Sequence, residues 1–156
     1  MEIIMIAAKA KNNVIGKAGK IPWHISEDFK HFKEKTMGYP VIMGMTTFES
    51  LPVKPLSGRT NIVLTKNPEY HPENVVVKYS MKDALDYCNG AEKIFLIGGA
   101  SIYKQGMEFA DTLELTEIDR EYEGDTYFPE FSMSEWELVN SDPRDGYSFN
   151  TYKRKN

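Results

Sequence analysis

Cysteine is almost absent from this sequence of 156 residues, which contains only Cys88. A single cysteine excludes an intramolecular disulfide and any metal cluster built from several thiolates. The histidines, His24, His31 and His71, have no third ligand at a useful spacing, so no metal site is predicted. This use of cysteine fits a reducing compartment, and we expect the protein to work in the cytoplasm.

Long apolar runs and an excess of positive charge are also missing. The apolar start, MEIIMIAA, is short and lacks the basic segment of a signal peptide. No run approaches the roughly 18 apolar residues that a membrane-spanning helix needs, so no membrane partner is expected. The formal net charge is −4, which makes nucleic acid an unfavourable partner because nucleic-acid binding usually requires a basic surface.

What the sequence does contain is an alternation of short apolar runs with helical patterns. Its composition, 41% hydrophobic and 27% charged, is ordinary for a globular protein, and we predict a single domain over residues 1–156. Strands are predicted at 3–8, 41–44, 61–64, 75–77, 94–97, 112–119, 136–140 and 147–153. Helices are predicted at 26–36, 46–51, 81–88 and about 100–109.

Continuous apolar strands separated by helices predict an α/β fold with a mostly parallel sheet covered on both faces. The last two strands have a short connection and predict an antiparallel edge. Ligands bind such sheets beyond the carboxyl ends of the strands. The loops after Ala8, Gly44, Leu64 and Ile97 are therefore candidate binding loops.

The run IPWHISEDFKHF, residues 21–32, contains a carboxylate that folding alone does not require. Ser26 is placed to cap a helix whose first turn holds Asp28. Three aromatic residues lie close to this acid in the sequence: Trp23, Phe29 and Phe32. Because an unpaired charge in apolar surroundings is costly, Asp28 predicts a cationic or hydrogen-bonding ligand. A helix cap or an ion-pair partner is the alternative interpretation.

Three turns on the same predicted edge offer groups that bind anions. Gly98 and Gly99 follow a buried strand and open a helix, so their backbone suits a pyrophosphate, although a tight turn without a ligand is equally typical. The run 44–47, GMTT, is a second such turn. The run 64–66, LTK, places a hydroxyl and an ammonium where a phosphate monoester can bind. Together the turns indicate a phosphate-bearing ligand.

Taken in order, these pieces resemble the dihydrofolate reductase family of the bacterial chromosomal type. The matching stretches are IAA (6–8), VIG (14–16), IPW (21–23), Asp28 with Phe32, PVIMG (40–44), TFES (47–50), PLSGRTNIVLT (55–65), IGG (97–99), IY (102–103), LT (115–116), EGDT (123–126) and FP (128–129). They cover nearly the whole chain. The resemblance implies an eight-stranded, mostly parallel sheet with an antiparallel C-terminal edge and about four helices on both faces.

The resemblance also implies a reaction, the NADPH-dependent reduction of 7,8-dihydrofolate to 5,6,7,8-tetrahydrofolate for one-carbon metabolism. Hydride would pass to pterin C6, and a proton would reach N5 through water. Asp28 would hold the 2-amino group and ring nitrogen of the pterin. The implied catalytic residues are Asp28, Trp23, Tyr103 and Thr116. Antifolate inhibitors are further implied ligands, and a monomer is the family expectation.

Two sets of binding residues follow from the resemblance. The implied substrate-binding residues are Ile6, Ala8, Asp28, Phe32, Leu51, Lys54, Arg59, Ile97 and Thr116. Arg59 would take the α-carboxylate of the glutamate tail, although a surface arginine is the alternative. The implied cofactor-binding residues are Ala8, Val14, Ile15, Gly16, Lys17, Ala18, Gly19, Lys20, Gly44, Met45, Thr46, Thr47, Leu64, Thr65, Lys66, Gly98, Gly99, Ala100, Ser101, Ile102, Tyr103 and Gln105. Family members also have a cis bond at the Gly-Gly step.

Two residues depart from the family pattern near the cofactor phosphates. Met45 and Ser101 stand where relatives carry basic residues, which leaves Lys66 as the chief partner of the 2′-phosphate. We therefore expect a weaker preference for NADPH over NADH than in arginine-bearing relatives. Outside the phosphate region, the segment 51–55, LPVKP, is longer than in a common bacterial form.

Two other functions remain open at this point. A non-catalytic nucleotide-binding module would keep the anion-binding turns but has no need of Asp28 in an aromatic pocket. A reductase acting on a related heterocycle, in riboflavin precursor synthesis, is not expected to combine Trp23, Asp28 and Arg59.

Overall fold

The computed structural model describes residues 1–156. Its strands are β1 (Glu2–Ala10), β2 (Val14–Gly16), β3 (Val41–Gly44), β4 (Asn61–Leu64), β5 (Val76–Lys78), β6 (Lys93–Gly98), β7 (Thr112–Ile118), β8 (Thr126–Tyr127), β9 (Trp136–Pro143) and β10 (Tyr147–Arg154). Its helices are α1 (Ser26–Thr36), α2 (Met45–Ser50), α3 (Met81–Tyr87) and α4 (Ala100–Gly106).

Eight of the strands form one sheet in the order β5-β4-β3-β6-β1-β7-β10-β9. All pairs from β5 to β7 are parallel, whereas β10 runs antiparallel to both β7 and β9. The predicted mostly parallel sheet with an antiparallel C-terminal edge is therefore confirmed. The central strand β1 lies between β6 and β7, so its backbone is hydrogen-bonded on both edges.

Hydrophobic residues fill both faces of this sheet. Alternate residues of a strand point to opposite faces, and in β1 Ile3 and Met5 join one core cluster while Ile4 and Ile6 join the other. Helices α3 and α4 contribute Leu85 and Ile102 to the first cluster. Helices α1 and α2 contribute Phe32 and Phe48 to the second. The prediction of about four helices on both faces is thus confirmed.

The start of α1 differs from the sequence-based expectation. Ser26 is the first helical residue, Ile25 occupies the capping position, and no side chain caps the helix. At α3, by contrast, the Ser80 hydroxyl accepts a hydrogen bond from the Asp83 backbone N–H at 3.1 Å. The prediction that Ser26 caps α1 is therefore wrong, and the first turn of α1 must be held by other contacts.

A second, two-stranded sheet was not predicted from the sequence. It pairs β2 with β8, strands of three and two residues that carry too little pattern to recognise. Gly124 permits the close approach of these segments, because a Cβ there would lie 2.3 Å from Val14 Cγ1 and 2.6 Å from the Gly16 carbonyl oxygen. The small sheet anchors the start of the loop that follows β2.

Two further findings concern the cysteine and the question of a membrane-spanning helix. The only cysteine, Cys88, is buried just beyond α3, where burial raises the pKa of its thiol to about 11. None of the four helices combines the length and apolar character that crossing a membrane requires.

Candidate active site

The strand register brings several of the predicted site residues to the carboxyl-end edge of the parallel strands. Strand register places Ala8 of β1 beside Thr116 of β7. On the other side of β1, Gly98 of β6 pairs with Met43 of β3. The edge therefore contains both the region of the predicted acid and the glycine turn.

Asp28 lies in the first turn of α1 and is partly buried. The Thr116 hydroxyl donates a hydrogen bond to Asp28 Oδ1 at 2.5 Å. No lysine, arginine or histidine forms an ion pair with Asp28. Burial raises the pKa of its carboxyl above the usual range, and the Thr116 hydrogen bond opposes this effect. The carboxylate thus retains unused acceptor capacity without a cation to neutralise it.

The aromatic residues around Asp28 divide into two groups. Phe32 is partly buried against the second core cluster, as are the aliphatic residues Leu51 and Ile97. Phe29 is 52% exposed and its ring lies 5.3 Å from that of His24. Trp23 packs on Tyr122 with ring centroids 5.1 Å apart and makes no direct hydrogen bond to Asp28.

Tyr103 is buried at the junction between the acid and the glycine turn. Its hydroxyl donates a hydrogen bond to the Ile6 carbonyl oxygen at 2.8 Å. Burial, with a further contribution from the negative charge of Asp28, raises the pKa of Tyr103. Gly98 has φ of +119°, and a Cβ there would lie 3.0 Å from the Tyr103 hydroxyl oxygen. Only glycine suits both the backbone conformation and the space at this point.

The glycine turn and its neighbour provide backbone amides without competing side chains. The Gly98–Gly99 peptide bond is cis. Gly99 and Gly44 occupy the capping positions of α4 and α2, and neither helix start has a side-chain cap. First-turn amides of a helix have no intrahelical acceptor, so these groups are available to an anion.

The side chains predicted to contact the cofactor phosphates differ in whether they already have partners within the protein. Lys66 is exposed and forms no ion pair. The Thr65 hydroxyl lies 3.8 Å from the Met45 sulfur atom. Ser101 is held by Gln105, whose amide donates to the hydroxyl at 3.0 Å. Lys66 is therefore the free cation of this set.

The predicted loop over residues 14–20 is attached to the segment that precedes β8. The Ala18 backbone N–H donates to Asp125 Oδ2 at 3.0 Å, and the Asp125 N–H donates to the Gly16 carbonyl at 3.1 Å. Lys17 and Glu123 form an exposed ion pair at 3.0 Å. Hydrogen bonding to the Ala18 N–H lowers the pKa of Asp125.

The two predicted tail-binding cations are held differently. Arg59 donates to the Ser57 carbonyl at 2.9 Å and to the Thr36 hydroxyl at 3.0 Å, and burial lowers its pKa. These bonds fix the guanidinium but leave further donors unused. The Lys54 ammonium instead donates to the Glu49 carbonyl at 2.9 Å and pairs with the Glu49 carboxylate at 3.5 Å.

Sequence reasoning missed residues that surround the site through long-range contacts. Glu27 pairs with Arg144, which lies 117 positions away. Tyr70 donates to the Glu49 carboxylate at 2.5 Å, and burial together with this bond raises the pKa of Tyr70 to about 12. No local pattern signals such pairs, because each partner alone is typical of a solvated surface.

This fold and site define an α/β protein with a sheet-edge crevice that combines a partly buried acid, which has no cationic partner, with turns that offer free backbone amides. The family model described as dihydrofolate reductase matches residues 2–155. The chain is 48% identical to the dihydrofolate reductase of Neisseria gonorrhoeae, over 87% of this chain and 84% of that protein. It is 43% identical to that of Bacillus subtilis, over 99% and 95%.

A solved structure gives the same result. Dihydrofolate reductase from Enterococcus faecalis, complexed with NADP(H) and RAB-propyl, superposes with a TM-score of 0.90 at 39% identity, covering 99% of this chain and 97% of that one. The chain belongs to the dihydrofolate reductase family.

Proposed function

We propose that this protein catalyses the NADPH-dependent reduction of 7,8-dihydrofolate to 5,6,7,8-tetrahydrofolate. The observation that carries the proposal is the partly buried Asp28 carboxylate, which has Thr116 as its hydrogen-bond partner and no cation. A flat heterocycle with an amino group and a ring N–H on one edge supplies the donors that this carboxylate lacks. Membership of the dihydrofolate reductase family supports the same substrate.

Asp28 acts in this proposal by orienting the pterin and by favouring its protonation at N5. Its negative charge stabilises the cationic form of the ring, and Thr116 keeps the carboxylate in one orientation. The proton reaches N5 through water rather than directly from Asp28. Trp23 supports this network from the side of Tyr122, while Ile6, Ala8 and Ile97 border the ring.

The residues present fit a phosphate-bearing dinucleotide. The uncapped starts of α2 and α4 supply amides for the pyrophosphate, and Lys66 supplies a charge for the 2′-phosphate. NADPH, when bound, supplies the hydride that is added to pterin C6. The loop 14–20, tied to Asp125, excludes water from this face of the crevice.

Other parts of the ligands are assigned to the remaining predicted residues. Arg59 binds the α-carboxylate of the glutamate tail, with Lys54 as a weaker neighbour because Glu49 already engages its ammonium. Phe32 and Leu51 contact the pterin and benzoyl groups. Antifolates that present a similar diamino edge bind Asp28 in the same way. The proposal further includes a single-domain, cytoplasmic monomer.

The experiment is a spectrophotometric assay of purified protein with NADPH and dihydrofolate, comparing wild type with Asp28→Asn. Wild type is expected to consume NADPH only when dihydrofolate is present. Asp28→Asn is expected to lose at least about 100-fold in kcat at neutral pH, the scale of a lost group in proton-transfer catalysis. Its NADPH affinity, measured by fluorescence quenching, is expected to stay unchanged.

A matched control is Asp86→Asn, the same acid-to-amide change on α3, where the carboxylate pairs only with Lys82. This variant should retain full turnover. NADPH binding without any turnover by wild type would favour the non-catalytic module instead. Full turnover by Asp28→Asn would contradict the assigned role of Asp28.

A further inference from the structure

Glu27 comes directly before Asp28 and is bound by the connection between β9 and β10. Arg144 forms an ion pair with Glu27 Oε2, and the Tyr147 hydroxyl donates a hydrogen bond to the same oxygen at 3.1 Å. These partners lie 117 and 120 positions from Glu27 in the sequence. The contact therefore joins the C-terminal hairpin to the first turn of α1, which has no side-chain cap of its own.

Arg144 is itself held in place on the hairpin. Its Nε and Nη2 atoms donate to the two carboxylate oxygens of Asp142 at 3.3 and 2.8 Å. Its backbone N–H donates to the Tyr147 carbonyl at 2.7 Å. Its guanidinium also lies 5.2 Å from the centroid of the Phe149 ring. A bidentate ion pair combined with stacking on an aromatic ring restricts the Arg144 side chain more than an ordinary surface ion pair does.

A second contact between the hairpin and α1 lies on the other side of Asp28. The His31 ring stacks on Phe149, with centroids 4.1 Å apart and planes inclined by 15°. Phe149 pairs in register with Thr116, the residue that donates to Asp28. The hairpin thus contacts the residue before the acid, a residue one turn after it, and the strand that supplies its hydrogen bond.

We propose that Arg144 and Tyr147 are positioning residues that clamp Glu27 and thereby fix the Asp28 carboxylate for the pterin. The proposal rests on the proposed function, because it assigns the clamp to substrate binding at Asp28. Neither residue touches the reacting atoms. Loss of the clamp lets the uncapped first turn of α1 move, so Asp28 spends less time in the productive orientation.

The main test is Arg144→Met, which keeps an unbranched stem over Phe149 but removes the charge. We expect the KM for dihydrofolate to rise and its kcat/KM to fall by about three- to ten-fold, the effect of one lost charge-assisted contact within a network. The Kd for NADPH and the Tm are expected to stay within error of wild type. Arg144→Lys should recover part of the loss.

One further variant keeps the test informative if Arg144→Met folds poorly. Tyr147→Phe removes only the hydroxyl that donates to Glu27 and should show a smaller loss of the same kind. In a double-mutant cycle, Glu27→Gln and Arg144→Met should cost little more together than either alone, because they break one interaction. Lys82→Met, which breaks the exposed Lys82–Asp86 pair on α3, is the matched control and should leave all constants unchanged.

The outcomes separate this proposal from the proposed function. An inactive wild-type protein would defeat the function itself. An active wild type with Arg144→Met at wild-type kcat/KM would overturn the clamp. A parallel weakening of NADPH and dihydrofolate binding, together with a lower Tm, would also overturn it, since that result indicates a merely structural contact.

Discussion

The ionised form of the Asp28 carboxyl is disfavoured where it lies in the ligand-free protein. Its burial penalises the ionised form and raises the carboxyl pKa, and the one hydrogen bond from Thr116 only partly offsets this. A carboxyl whose pKa is higher in the folded than in the unfolded protein favours folding while protonated. That contribution is present below the unfolded pKa and is lost as pH rises through the folded pKa.

We therefore expect Asp28→Asn to gain stability relative to wild type as the pH rises. The amide is close in shape to the acid and can still accept the Thr116 hydrogen bond, but it never ionises. Urea unfolding without ligands at several pH values from acidic to neutral measures the effect. The difference in the free energy of unfolding, variant minus wild type, should grow with pH, and other titrating groups cancel in it. A constant difference would contradict the raised pKa.

Met45 and Ser101 make a prediction about cofactor choice. Lys66 is the free cation among the predicted phosphate contacts, because Ser101 is engaged by Gln105 and Met45 carries no charge. We expect Met45→Arg to raise the ratio of kcat/KM for NADPH to that for NADH by at least about ten-fold, since a charge-assisted hydrogen bond contributes roughly 1.5–3 kcal/mol. Kinetics with both cofactors measure this ratio.

Comparison with Met45→Gln separates charge from side-chain size, because glutamine cannot pair with a phosphate as a cation. An unchanged ratio in Met45→Arg would mean that the side chain does not face the 2′-phosphate. A very large NADPH preference in wild type would contradict the expectation from the sequence.

At the scale of elements, the loop after β2 depends on Asp125. The Ala18 N–H donates to this carboxylate, and the Asp125 N–H donates to the Gly16 carbonyl, so side chain and backbone both hold the loop. Asp125→Ala should leave the backbone bond but release Ala18. We expect faster amide hydrogen exchange for residues 16–20 and a lower kcat, because an open loop admits water to the crevice.

The control for this variant is Glu123→Ala, which removes only the exposed pair with Lys17. Exposed ion pairs contribute little to stability, so the amide exchange pattern of Glu123→Ala should match that of wild type. Equal exchange in wild type and Asp125→Ala would show that Asp125 does not order the loop.

Much of the element pattern was predictable because it follows from local chemistry. Strands β3 and β4 and helix α1 have the predicted bounds, since each is an apolar or amphipathic run ended by glycine, proline or polar residues. The pairing of β2 with β8 was not predictable. It depends on Gly124 accommodating Val14 more than 100 positions away, and two- or three-residue strands carry no periodicity.

The candidate site also has parts that the sequence could predict and parts that it could not. Asp28, Thr116 and Tyr103 lie close together, because helices α1 and α4 begin at the edge of the sheet where the parallel strands end. The partners Arg144 and Tyr147 of Glu27 escaped prediction, since they come from an antiparallel hairpin whose reach depends on register rather than on sequence pattern. The roles of these residues toward ligands remain predictions.

At the scale of the whole molecule, stability rests on the two core clusters that the sheet separates. Leu96, on the inner strand β6, is fully buried in the first cluster beside Met5 and Gly106. Leu96→Ala should lower the free energy of unfolding by about 2–5 kcal/mol, the range for a large-to-small change in a packed core. Urea unfolding measures it, and Leu138→Ala, at an exposed position of β9, is the control. If both variants lost similar free energies of unfolding, the buried clusters would not be the main source of stability.

The buried thiol of Cys88 can be used to measure how often the folded protein opens. Shielded in the native state and with its pKa raised to about 11, it cannot react with an alkylating reagent until the surrounding structure opens. The rate at which the thiol is alkylated therefore depends on how often the structure opens, and no label has to be introduced. Saturating NADPH should slow that rate about 100-fold at 100 times its Kd if only the open, ligand-free form reacts. The enzyme can thus be assayed for ligand binding through a residue that is not among the predicted binding residues.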